Sequence, residues 1–299
     1  MKNLHASIKD RLLNLARASN HPFNFVFTRY LQERLLYRLS TGVYADRIVL
    51  KGGLWLTAMT HRFLRATKDV DLEAEADADA DAMRAFFVEA ISHEVPDDGV
   101  VFDVAGITAE IIKAADEYHG IRLFVQAAFG RQQERVQIDF GFGDRILLPP
   151  DLFDYPVLLE TLPGPRLRIY SKESVIAEKF EAIASLGELN SRYKDFDDIV
   201  QLADRHSFYA SALWLAMNLT FRTRSTPMEH LTPAIAPTFA TPDREQLWKA
   251  YCRRQRATTA LPTFALCLHA LRRFADGPFR FDRDGHDRIW SHDRWDLAK

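Results

Sequence analysis

The sequence predicts an α+β half followed by an α-helical C-terminal half. Two observations carry this division. Between Arg47 and Phe142 short apolar stretches alternate with polar residues and are separated by glycine-containing turns, the signature of strands. Beyond Pro163-Gly164-Pro165 the hydrophobic period lengthens to that of a helix and stays there. A third observation bounds the answer: 299 residues with 47% hydrophobic and 27% charged content can bury the cores of two ordinary domains. The expected boundaries are two N-terminal helices packing on the core (1–40), an α+β core (41–165) and a helical domain (166–299).

Taken in order, Leu4 to Ala18 reads as an amphipathic helix stopped by Asn20-His21-Pro22, and Phe23 to Leu39 as a second helix. Arg47 to Lys51 is a short strand ending at Gly52-Gly53, with a helix from Leu54 to Thr60. Lys68 to Glu73 is a strand, and Asp77 to Glu94 a helix whose early acids complement its dipole. Gly106 to Lys113, Arg122 to Phe129 and Val136 to Phe142 read as strands, and the glycines between them suit antiparallel hairpins. Helices then follow over Ser174–Leu186, Tyr193–Arg205, Tyr209–Arg222, Asp243–Gln255 and Thr263–Asp276, with Ser174 as an N-cap.

A net charge of -2, from 39 basic and 41 acidic residues, gives no global basic field; nucleic-acid binding has to come from local patches. The clusters available are Arg222 with Arg224, Arg253-Arg254 with Arg256, and Arg272-Arg273, each equally readable as a solvated helix face. Cys252 and Cys267 form neither a metal-type spacing nor a disulfide framework, which fits a reducing cytoplasm. No signal-like segment opens the chain and no apolar run is long enough to span a bilayer, so a cytoplasmic protein is expected.

The chemistry-bearing stretch is Lys51-Gly52-Gly53, then fifteen residues, then Asp69-Val70-Asp71. On a strand, residues two apart share a face, so Asp69 and Asp71 project together while Val70 faces the core. Carboxylates that close repel unless a cation lies between them, and Mg²⁺ takes a few carboxylates together with substrate phosphates. Glycines without Cβ atoms let a phosphate approach the backbone, at the N-terminus of a helix with free N–H groups. Asp139, alternating with core-facing Val136, Ile138 and Phe140, is a third metal ligand if its strand lies beside that of Asp69. Lys179 lies beside the apolar stripe of its helix and Asp195 and Asp198 share one side of theirs. By themselves these read as a surface lysine and helix-start acids; acidic N-terminal capping accounts for Asp197.

Four blocks in this order resemble the AbiEii/AbiGii (MenT-like) nucleotidyltransferase toxins of the DNA polymerase β-like superfamily. They are Gly52-Gly53, Arg65-Ala66-Thr67-Lys68-Asp69-Val70-Asp71, Ala177-Glu178-Lys179 and Arg192-Tyr193-Lys194-Asp195-Phe196-Asp197-Asp198. The resemblance covers about residues 45 to 205. It implies a polymerase β-like nucleotidyltransferase sheet with flanking helices and a toxin of a toxin–antitoxin or phage-defence pair. It also implies NTP as co-substrate, Mg²⁺ as cofactor, a cognate antitoxin as partner, and an RNA acceptor, the tRNA 3′ end. Gly52 and Gly53 would hold triphosphate, Asp69 and Asp71 metal, Lys179 the NTP phosphates, and Asp195 would be the acid of the last block. Arg65 and Thr67 would support the strand or the phosphate. Leu54 departs from the pattern, standing where a small hydroxyl residue is common, and Asp139 matches no block.

Two other functions use the same residues. One transfers the nucleotide to a protein hydroxyl or a small molecule; the other is a non-catalytic nucleotide-binding module, against which Asp69, Asp71 and Lys179 speak. The aromatic C-terminus (Phe279, Phe281, Trp290, Trp295) is expected to anchor on the body or to meet a partner.

Overall fold

The computed structural model describes residues 2–60, 67–75, 79–113, 119–142, 150–254, 261–291 and 293–298. The chain divides into two compact units: residues 1–143 with 150–170, and residues 171–299 with 144–149.

The first unit is built on a seven-stranded mixed sheet. Helices α1 (Lys2–Ala18) and α2 (Phe23–Thr41) precede β1 (Ile48–Leu50), α3 (Gly52–Thr60), β2 (Asp69–Ala74) and α4 (Ala80–Ile91). Then come β3 (Val101–Lys113), β4 (His119–Phe129), β5 (Gln132–Gly141), β6 (Asp151–Asp154) and β7 (Arg166–Ile169). The strand order is β3-β4-β5-β2-β1-β7-β6. The antiparallel pairing expected of the three central stretches is present in β3-β4-β5, whereas β2 joins β5, and β7 joins β1, in parallel. Strands β6 and β7, four residues each, lie where the sequence showed only proline punctuation.

Alternation decides which face of the sheet is covered. Ile121, Leu123, Val125, Ala127 and Phe129 of β4 and Val136, Ile138 and Phe140 of β5 are all buried. Phe87 of α4 meets Phe140 edge-on, and Phe27 of α2 meets Phe129 likewise. The other face carries polar side chains, Asp139 among them. Asp79 caps α4 by accepting from the Ala82 N–H, so this helix starts at Ala80, three residues later than a reading from Asp77. Helix α2 also buries charge: Arg38 grips both oxygens of Asp98, and Glu33 accepts from Arg34 and from the Leu158 N–H. Gln32 donates to the Thr67 carbonyl at 3.2 Å, tying α2 to the residue pair that opens β2.

The second unit is mainly helical: α5 (Lys172–Leu186), α6 (Tyr193–Arg205), α7 (Ala210–Thr223), α8 (Leu231–Ala234), α9 (Pro242–Arg254) and α10 (Phe264–Asp284). Ser171, not Ser174, caps α5: its hydroxyl accepts from the Ser174 N–H at 3.1 Å. A small sheet of β8 (Phe208–Tyr209), β9 (Arg288–Ser291) and β10 (Arg294–Leu297) was not foreseen. It carries Trp290 and Trp295, whereas Phe279 and Phe281 lie on α10. Trp290 donates to the Ala203 carbonyl and Trp295 to that of Phe274, so both rings are fastened to helices of their own unit. Helix α10 runs through Gly277-Pro278, where a stop was expected. A Cβ on Gly277 would overlap the Trp295 ring, so the glycine makes room for the docked hairpin. No described helix is long and apolar enough to cross a membrane.

Candidate active site

Strand β2 sets the site. Val70 and Leu72 are wholly buried, which turns Asp69, Asp71 and Glu73 to the opposite face. The parallel register of β2 and β5 places Asp71 directly across from Asp139. Asp69, Asp71 and Asp139 each offer an oxygen within 4.8 Å of the others, the one such group among the described residues. The conditional reading of Asp139 thus meets its condition.

Crowding the three acids has an electrostatic consequence. Burial, then the charges of Asp69 and Asp139, push the Asp71 carboxyl from 3.8 up to about 6; Lys51 and the Gly53 N–H pull the other way without cancelling this. Thr67 donates to Asp69 Oδ1 at 2.8 Å and fixes that side chain.

The glycine turn has a packing duty besides the expected one. Gly52 sits at φ +67, and a Cβ there would overlap the Asp71 carboxylate; a Cβ on Gly53 would lie 2.5 Å from Thr67 Oγ1. The Gly53 N–H points at Asp71 Oδ2 at 3.4 Å. The missing side chains therefore make room for Asp71 and for Thr67, the residue that holds Asp69. Gly52→Ala combines a left-handed backbone with that overlap and should cost on the order of 2 kcal/mol or more of stability. Gly53→Ala, with no such backbone conformation, should cost less. Thermal unfolding of both variants checks the order; equal, small losses would show that the turn yields freely.

Five residues at the site were given no role from sequence: Lys51, Glu73, Gly141, Arg122 and Gln137. Lys51 Nζ pairs with Glu73 Oε2 at 2.7 Å and lies 5.6 Å from the Tyr170 ring centroid. Gly141, across from Glu73, lacks the Cβ that would strike that pair. Arg122 forks onto Asp139, Nε to Oδ1 and Nη2 to Oδ2, both at 2.8 Å. Gln137 Nε2 adds contacts at 3.1 Å to both oxygens. Glu73 was readable as the third member of the Asp69 face; Arg122 had no sequence signal, because strand register brings it there.

Lys179 and Asp195 come together in the second unit. Lys179 Nζ binds Asp195 Oδ1 at 3.1 Å and Asp198 Oδ2 at 2.7 Å, and Arg192 binds Asp195 Oδ2 at 2.7 Å. Burial alone would raise the Asp195 carboxyl, but Lys179 and Arg192 outweigh it and hold it below the usual range. Asp197 is not an exposed cap: it is buried and accepts from Tyr251 Oη at 2.9 Å. Arg65 lies outside the described residues.

Two crystal structures from Helicobacter pylori are similar to the chain. One is a candidate nucleotidyltransferase at 16% identity, covering 87% of this chain and 97% of its own, with a TM-score of 0.46. The other is JHP933 at 15% identity, covering 86% and 95%, also with a TM-score of 0.46. No curated protein matches the sequence. The model of one family, described as nucleotidyl transferase AbiEii toxin of type IV toxin–antitoxin systems, matches residues 34–270. That match spans well over half of the sequence, and the chain belongs to the AbiEii nucleotidyltransferase toxin family.

Proposed function

We propose that this toxin transfers a nucleoside monophosphate from an NTP to the 3′ end of an RNA, tRNA being the acceptor, with Mg²⁺ held by Asp69, Asp71 and Asp139. The observation that carries the metal reading is the convergence of three carboxylates on one sheet face beside the glycine turn. The donor set fits: hard carboxylate oxygens suit Mg²⁺ or Mn²⁺, and the Asp71 carboxyl, raised by burial and then by the charges of Asp69 and Asp139, is one that a dication would favour as carboxylate. Bound there, the metal would neutralise charge on the phosphates and make the acceptor hydroxyl more acidic.

The remaining work falls to the chain. Gly52 and Gly53 open α3 and offer backbone N–H groups to the triphosphate. Thr67 holds Asp69 in its ligating pose, and Lys51, paired to Glu73, adds a positive charge beside Asp71. Lys179 is assigned to the NTP phosphates by the family resemblance; within its own unit its ammonium is held by Asp195 and Asp198. In the reaction the acceptor oxygen bonds to the α-phosphorus, the bond to the leaving pyrophosphate breaks, and the hydroxyl proton is released. A cognate antitoxin acts as the neutralising partner.

Incubating purified protein with Mg²⁺, total tRNA and each α-labelled NTP, beside Asp69→Ala, tests the reading. Label in RNA from the unaltered protein alone supports it and names the nucleotide. Label on protein or in a small molecule overturns the RNA acceptor and keeps the transferase chemistry.

A further inference from the structure

Asp139 differs from its two neighbours in having both oxygens engaged, and by a cation; Asp69 and Asp71 each accept at one oxygen, from Thr67 and from the Gly53 N–H. Arg122 lies across from it in the β4–β5 register, and Glu110 lies across from Arg122 in the β3–β4 register, so three strands set Glu110, Arg122 and Asp139 in one row. The guanidinium covers both Asp139 oxygens at 2.8 Å, with Gln137 behind. Arg122 Nη1 is at the same time 3.9 Å from Glu110 Oε1. Exposure grades along the row, from 18% for the Asp139 side chain to 31% for Arg122 and 57% for Glu110. Arg122 therefore has a partly buried acid on one side and a solvated acid on the other.

We infer that Arg122 is a positioning residue that gates the third carboxylate, and that Glu110 receives its guanidinium when Asp139 is needed as a ligand. This rests on the reading of Asp69, Asp71 and Asp139 as a divalent-cation site. With Arg122 on Asp139, only Asp69 and Asp71 present free carboxylate oxygens, enough for a single ion. A second cation beside a fixed guanidinium meets like charge. An incoming triphosphate supplies the negative charge that makes a second cation favourable and, by the same field, draws Arg122 outward. Glu110 lowers the cost of that departure, since the guanidinium exchanges one carboxylate for another. The consequence is order: the site passes from one ion to two only with nucleotide present, so an acceptor hydroxyl is not activated in an empty pocket.

Counting bound Mn²⁺ by electron paramagnetic resonance tests this without any turnover. The unaltered protein should hold about one ion without nucleotide and about two with a mixture of α,β-methylene NTP analogues. Arg122→Ala should hold about two without nucleotide; Arg122→Gln serves if alanine prevents folding. Glu110→Gln should keep the single ion and bind the second several-fold more weakly in the presence of the analogues. Two ions on the unaltered protein without nucleotide, or one ion on both Arg122 variants, overturns the gate. An unchanged second affinity in Glu110→Gln overturns the resting place. Absence of Mn²⁺ from every variant removes the metal reading itself, an outcome distinct from the others.

Discussion

Asp71→Asn should abolish nucleotidyl transfer and at the same time stabilise the protein. The activity loss follows from removing a ligand whose metal lowers the barrier by several kcal/mol, a fall of at least about 10³-fold. The stability gain follows from the carboxyl lifted from 3.8 to about 6. The sign is fixed by linkage. An acid with a raised folded value binds its proton more tightly when folded, so its contribution to stability falls as pH rises from about 4 to about 6 and stays low above. Each unit is worth about 1.4 kcal/mol, so metal-free Asp71→Asn should exceed the unaltered protein by on the order of 1–3 kcal/mol at pH 7. The two should converge near pH 4. Asparagine keeps an acceptor for the Gly53 N–H and needs no more space than aspartate. Adding Mg²⁺ should raise the melting temperature of the unaltered protein and leave the variant unmoved. A variant that melts lower at pH 7 without metal would show that Asp71 is a structural hydrogen-bond partner first.

Lys179→Ala should have the largest effect on stability. Asp198, 5% exposed, loses a 2.7 Å ion-pair partner, and Asp195, at 2%, loses one at 3.1 Å while keeping the half-exposed Arg192. Removing the cation of a buried ion pair costs about 3–5 kcal/mol. Adding Asp198→Asn to Lys179→Ala should recover part of that loss, because it removes a buried charge that the lysine had balanced rather than restoring the lysine. Urea unfolding measures both. A loss below about 1 kcal/mol, the value of solvated pairs, would mean that water already shields these acids. The Asp195 contribution fades as pH falls through its depressed value, so the difference between the proteins should narrow in acid.

Much of the site follows from strand period alone. Val70 between Asp69 and Asp71 fixes the shared face of the two acids, and the same rule reaches Glu73 two residues on. Asp139 needed one further fact, that β5 lies beside β2, which no local pattern contains. Arg122 and Glu110 needed two registers, and neighbouring strands carry no mark of register in their own sequence. The glycines were legible as a turn but not in their cause, because the atoms they make room for belong to Thr67 and Asp71, more than a dozen positions away. Strands β6 and β7 were hidden by their length of four residues among prolines. The end of α10 was misplaced because Gly277-Pro278 signals a stop locally, whereas Trp295 packs against that glycine from the distant hairpin.

Transfer of the α-phosphoryl group at the Asp69–Asp71–Asp139 cluster is tested by following α- and γ-labelled NTP separately, with Mg²⁺ and then with excess chelator. The expected result is α-label in the acceptor, γ-label in released pyrophosphate, and neither event with chelator or with Asp69→Ala. γ-Label in the acceptor, or α-transfer undiminished in Asp69→Ala, would contradict it.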